Sequence, residues 1–238
     1  LRRGLFRSSK DKEGRPTYGG YSDKIVVDEN YVLRIPDNLL LDGAAPLMCA
    51  GITLFSPLKH WGAGPGRKVG IIGLGGLGHM GVKIAHAMGA EVTVFSQSSK
   101  KQEDGQRLGE APISAPSDPK TFEKIKGQFD LIVNTVPAEN NWDQFVILLA
   151  TDGSLVMVCG PDDAVPLNGF PLIAKRRSVA GSMIGGIAET QEMLDFCGKH
   201  NIASDIEVVP VQKVNEAFER VVRGDVRYRF VIDCATLE

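Results

Sequence analysis

Gly73, Gly75 and Gly78 are spaced G-x-G-x-x-G. They stand between an apolar run, Val69 to Ile72, and an apolar-periodic stretch from Leu77 to Met88. The order is strand, tight turn, helix. In that setting Gly73 allows the unusual dihedrals of the turn, Gly75 leaves room for a pyrophosphate, and Gly78 lets the helix lie close on the strand. A diphosphate would rest on the helix N-terminus, facing unpaired N–H groups and the positive end of the dipole. A purely structural glycine turn is the competing reading.

Other residues able to do chemistry are scattered. Cys49, Cys159, Cys197 and Cys234 are too far apart for a C-x-x-C metal knuckle or a disulfide framework, which points to a reducing, cytoplasmic setting. Cys49 taken alone reads as a buried structural thiol, because free cysteine is among the most buried residue types. His79, directly after the last glycine, reads as a packing or capping residue, and Trp61 and Trp142 as core or interface aromatics.

The 238 residues carry 27 basic against 29 acidic side chains, a formal charge of −2, with no basic block to suggest a nucleic-acid face. No apolar stretch approaches the roughly 20 residues that cross a bilayer, so neither nucleic acid nor membrane is an expected partner.

Around the glycine turn, hydrophobic patterning predicts alternating strands and helices. Strands are expected at 68–72, 91–95, 111–117, 129–135, 154–159 and 177–183. The third is the weakest, since Pro112 and Pro116 interrupt it. Helices are expected at 49–61, 77–88, 100–108 and 142–149. Such alternation implies a doubly wound parallel sheet of α/β class, covered on both faces. Ahead of it, residues 1–20 read as loop, 24–28 and 31–35 as short strands, and 39–45 as a helical turn. After it come a helix at 189–200, a strand at 207–209, a helix at 214–222 and a closing strand at 228–233.

Six separated stretches then resemble the zinc-dependent medium-chain alcohol dehydrogenases, in their cinnamyl alcohol dehydrogenase branch. They are G-G-Y-S-D from Gly19, A-P-L-M-C-A-G-I-T from Ala45, G-L-G-G-L-G-H from Gly73, A-G-S-M-I-G-G from Ala180, E-T-Q-E-M-L-D-F from Glu189 and D-V-R-Y-R-F-V-I-D from Asp225. They lie in the family's order and cover nearly everything from Tyr18 onward.

The resemblance implies a Rossmann domain at 50–187, with 1–49 and 188–238 a remnant of a mostly β, GroES-like catalytic domain. It also implies cofactor contacts at Thr53, at Gly73, Leu74, Gly75, Gly76, Leu77 and Gly78, and at Ser96, Gln97, Ser98, Ser99, Lys100 and Lys101. Thr135, Gly160, Ser182, Met183, Ile184 and Arg229 complete that set. At the end of the second strand, Ser96 to Lys101 offer hydroxyls and two cations where NAD would want a carboxylate, which favours NADP(H). Lysines that merely flank a solvated helix start are the plainer alternative.

Of the family's catalytic zinc ligands only Cys49 has a counterpart. The resemblance puts the others, the proton-relay hydroxyl and the four-cysteine structural loop ahead of residue 1. It implies an alcohol dehydrogenase or aldehyde reductase acting on a small alcohol or aldehyde, in a shortened chain whose zinc chemistry is impaired. It also implies a homodimer joined along the strand at 178–183. A non-catalytic NADPH-binding or interaction protein of the same descent is the alternative.

Overall fold

In the computed structural model, the described residues are 14, 20–96, 104, 107–108, 113–114, 119–138, 141–161 and 163–237. They divide into two compact units, the larger comprising Leu33–Glu207 with Arg227–Arg229.

The larger unit holds six parallel strands: β1 (Lys68–Ile72), β2 (Glu91–Phe95), β3 (Ile113–Ser114), β4 (Phe129–Asn134), β5 (Leu149–Met157) and β6 (Ser178–Gly181). Their order is β3-β2-β1-β4-β5-β6, the doubly wound arrangement expected. Alternation along each strand sorts side chains to opposite faces. Val69, Ile71, Val92, Val94, Leu131, Val133 and Val156 enter one core cluster, while Ile72, Phe95, Phe129, Ile132 and Leu155 enter the other.

The first face is covered by α2 (Ala50–His60), α3 (Gly78–Ala87) and α7 (Ile187–His200), which contribute Ile52, Leu54, Met80, Ile84, Met193 and Leu194. A short helix α1 (Leu41–Ala44) and a 3-10 turn at Ala45–Met48, where Pro46 interrupts, precede α2. The second face is covered by α4 (Pro119–Lys124) and α5 (Trp142–Val146), through Phe122, Trp142 and Phe145. Phe95 sits at its centre, with ring centroids 5.4 to 5.9 Å from Phe122, Phe129 and Phe145. This ring explains Gly70 in mid-strand, since a Cβ there would lie 2.6 Å from Phe95 Cε2.

Helix α5 stops at Val146, short of 149, because the chain enters β5 at Leu149, beside Phe129, and the carbonyls between them find partners outside the helix. Ile147 O accepts from Gly127 N, Leu148 O from Gln128 N and Phe129 N, and the Arg177 guanidinium caps Ile147 O and Leu149 O. A short helix α6 (Gly169–Ile173) leads into β6. The third strand is reduced to two residues beside β2, as its prolines suggest. Of the expected 100–108 helix, residues 104, 107 and 108 are described and helical.

The smaller unit comprises Leu1–Val32, Val208–Val226 and Phe230–Glu238. Strands β7 (Ile206–Pro210) and β8 (Arg229–Asp233) form a separate two-stranded sheet. Helix α8 (Val214–Val222) lies in this unit, where Arg220 stacks over the Phe230 ring.

The expectation of strands at 24–28 and 31–35 is corrected. Residues 24–28 are in no strand, Val26 is fully exposed, and Glu29–Tyr31 is a 3-10 turn begun by Asp28, whose carboxylate accepts from Asn30 N. Strand preference reflects packing on a neighbour, and no described strand runs beside these residues. In the larger unit, the Gln191 carboxamide takes a ladder partner's place by pairing with both the N–H and the C=O of Arg34.

Candidate dinucleotide site

Because all six strands are parallel and pair in register at their carboxyl ends, after a shift in the β4–β5 register between Phe129 and Leu131, those ends form one row: Ser114, Phe95, Ile72, Asn134, Met157 and Gly181. Nearly every described residue expected to face a cofactor lies one to six positions beyond that row. Ser96 follows β2, residues 73–78 follow β1, and Thr135 follows β4. Gly160 lies three positions past β5, and Ser182, Met183 and Ile184 follow β6. The order of winding reverses between β1 and β4, with β2 and β3 added on one side and β4 to β6 on the other, and at such a switch point an open sheet leaves a crevice for a ligand.

Gly73 has φ +91°, and a side chain there would meet Val136 Cγ2 at 2.4 Å. Its amide donates to Phe95 O at 2.9 Å, tying the turn to β2. Gly78 is tighter: a Cβ would lie 2.0 Å from Gly73 O. Gly75 is different, because a Cβ there meets nothing within 4 Å. The protein's own packing gives no reason for glycine at that position. Leu74 and Leu77 pack in the core and offer only backbone. Among the described residues, none accepts a hydrogen bond from the amides of Gly76, Leu77 or Gly78. These are the orphan donors of a helix N-terminus, suited to an anion.

Neighbouring side chains fix the turn. Thr135 Oγ1 donates to Ile72 O at 2.8 Å, and Arg229 lies on the turn with Nε 3.4 Å from Gly76 O. Asn134, fully buried, donates to Val136 O and Cys159 O and accepts from Val136 N, so it holds the loops after β4 and β5 side by side. Sequence reasoning missed Asn134. The available signal was a carboxamide ending an otherwise apolar strand. Burial pushes the Cys159 thiol up to about 11, so it is not a nucleophile at neutral pH.

Thr53 is not on the sheet edge. It is buried on α2 beside Ile52, whose side chain packs where a Cβ of Gly185 would stand. Met183 and Ile184 are exposed, and Ile184 has φ +45°, uncommon for a β-branched residue. Gln97, Ser98, Ser99, Lys100 and Lys101 lie outside the described residues.

Cys49 contradicts the expectation of burial: it is exposed, at the junction of the 3-10 turn and α2, where the chain turns out of the core. No three His, Cys, Asp or Glu side chains among the described residues converge on a point that could hold a metal. A catalytic zinc needs three protein ligands, so the residues described do not fit one, whereas the glycine turn fits a dinucleotide.

The family model for zinc-binding dehydrogenases matches residues 76–199, more than half of the chain, beginning inside the glycine turn and running through α7. The chain belongs to the zinc-binding dehydrogenase family. NADP-dependent alcohol dehydrogenase C 1 of Mycolicibacterium smegmatis is 61% identical over 95% of this chain, which spans 65% of that relative's length. Among solved structures, a Sorghum bicolor cinnamyl alcohol dehydrogenase superposes with a TM-score of 0.91 at 42% identity, over 95% of this chain and 65% of that one. A Helicobacter pylori enzyme of that type, complexed with NADP(H), gives 0.85 at 41% identity over the same shares. The Rossmann-type sheet is thus the family's.

His79 is completely buried in this dehydrogenase-family chain, as its expected packing role requires. Burial, with the Lys83 ammonium nearby, pushes its imidazole down to about 4 from 6.5. Between those values the unfolded chain holds a proton that the folded chain must shed, so stability is complete above pH 6.5 and falls as pH drops toward 4. The loss across that window is about 3 kcal/mol. Urea unfolding at about pH 7.5 and about pH 4.5 measures it, and His79→Phe is expected to show a smaller difference between the two.

Proposed function

We propose that this chain binds NADP(H) and serves an alcohol dehydrogenase or aldehyde reductase of the cinnamyl alcohol dehydrogenase type, with a small alcohol or aldehyde as substrate. The observation that carries the reading is the turn at residues 73–78: a glycine with open space where a side chain would stand, beside amides with no acceptor among the described residues, at the sheet's switch point. The relatives' names, one NADP-dependent and one complexed with NADP(H), support the choice of cofactor, as do the hydroxyls and cations of Ser96 to Lys101.

In this reading the amides of Gly76, Leu77 and Gly78 receive the diphosphate, and Arg229 adds positive charge beside it. Gly160 and Ser182 to Ile184 border the far half of the crevice, with Thr53 behind them. The bound cofactor supplies a hydride at its nicotinamide ring. The protein's part is to hold that ring in place and exclude water. No step is assigned to zinc, since the described residues do not assemble a site for it. A non-catalytic NADPH-binding or interaction protein is the alternative reading for the chain on its own. NADPH binding without reduction of an aromatic aldehyde fits it.

The division into a cofactor domain at 50–187 and a catalytic-domain remnant at 1–49 and 188–238 belongs to the same proposal, as do a cytoplasmic setting and a homodimer. Strand β6 supports the dimer, because it ends the six-stranded order and leaves an edge that needs a partner. Light scattering at micromolar concentration is expected to give twice the chain mass, and a monomer would contradict it.

Calorimetric titration tests the cofactor reading. NADPH is expected to bind and NADH to bind more weakly. In Gly75→Ala, stability is expected to change by less than about 1 kcal/mol, because the new methyl meets no protein atom, while NADPH affinity falls by about tenfold or more. Failure of the unaltered chain to bind either nucleotide would remove the proposal.

A further inference from the structure

We infer that His79 is a positioning residue: its imidazole fixes the Gly75–Gly76 peptide so that the Gly76 N–H faces the crevice. The use of that N–H by a cofactor rests on the function proposed above, but its orientation does not.

The Gly75 carbonyl oxygen accepts two hydrogen bonds from one residue, from His79 N at 3.0 Å and from His79 Nδ1 at 3.2 Å. Across a trans peptide the C=O of one residue and the N–H of the next point in opposite directions. Holding the Gly75 oxygen inward therefore holds the Gly76 N–H outward. With glycines on both sides the peptide has no side chains to restrict it, and its setting depends on these two bonds, of which the imidazole supplies the one the main chain does not.

The tautomer follows from the partners. A carbonyl can only accept, so Nδ1 carries the proton, and Nε2 must then accept from Ser204 Oγ, 3.0 Å away. The ring is also clamped face to face on Tyr228, with centroids 4.7 Å apart and planes 19° from parallel. Tyr228 immediately precedes Arg229, whose guanidinium occupies the place a Gly76 side chain would take, 2.5 Å from a Cβ there. One buried imidazole thus braces the turn from within and, through its stacking partner, bears on the residue that lies over it.

Two variants separate this role from simple packing. His79→Phe keeps an aromatic ring against Tyr228 but removes the donor. His79→Asn places an amide N–H near the Nδ1 position and loses the stack. Two measurements are made on each folded chain. The first, without cofactor, is the Gly76 amide cross-peak in the 15N–1H NMR spectrum. It is expected to move in His79→Phe and to return toward its original position in His79→Asn. The second is NADPH affinity, expected to fall about tenfold in His79→Phe and to recover to within about threefold in His79→Asn. An unmoved Gly76 peak in His79→Phe, or an Asn variant as altered as the Phe variant, would overturn the inference. A wild-type chain that fails to bind NADPH while the peak behaves as expected would count against the proposed function and leave the positioning role standing.

Discussion

The carbonyl oxygen of Gly73 and the backbone of Gly78 approach so closely that nothing larger than hydrogen fits on the Gly78 Cα, and a methyl there would stand 2.0 Å from that oxygen. This contact lets α3 start directly above the end of β1. If the helix moved away, its first amides would no longer crown the carboxyl edge of the sheet, and the crevice between β1 and β4 would lose its anion-binding wall. The remaining features of the site serve to keep that approach in place: the left-handed φ of Gly73, its bond to Phe95 O, and Thr135 Oγ1 on Ile72 O.

The approach is held from below by packing on both sheet faces. Strands β1 and β4 are buried on both sides, and Gly70 cedes its place to the Phe95 ring, so register between β2, β1 and β4 is locked by side-chain volume as well as by the ladder. Because the strands are parallel and aligned, one row of carboxyl ends gathers residues from positions 73 to 184 along a single edge. Asn134 continues the arrangement past the sheet, where no ladder operates, by bridging the two loops with its carboxamide.

The larger unit was legible in the sequence because its strands are short, continuous and bounded by glycines, and because the turn's glycines each answer a steric demand. Strand β2 and helix α8 lie where periodicity puts them. Residues 24–35 misled because β-branched side chains signal a strand only when a neighbour exists to pair with, and sequence does not show neighbours. Cys49 misled for a related reason: a residue type's average burial says little at the exposed junction between a 3-10 turn and a helix. His79 was readable as a packing residue, but its bond to Gly75 O depends on a rotamer and on Ser204, 125 residues away in sequence.

A crystal structure of this chain with NADPH bound tests the central claim most directly. Diphosphate density is expected over the amides of residues 76–78, with the Gly75 Cα facing the phosphates and the Arg229 guanidinium alongside. A nucleotide bound away from the carboxyl edge of the sheet, or a diphosphate that leaves those three amides untouched, would contradict it.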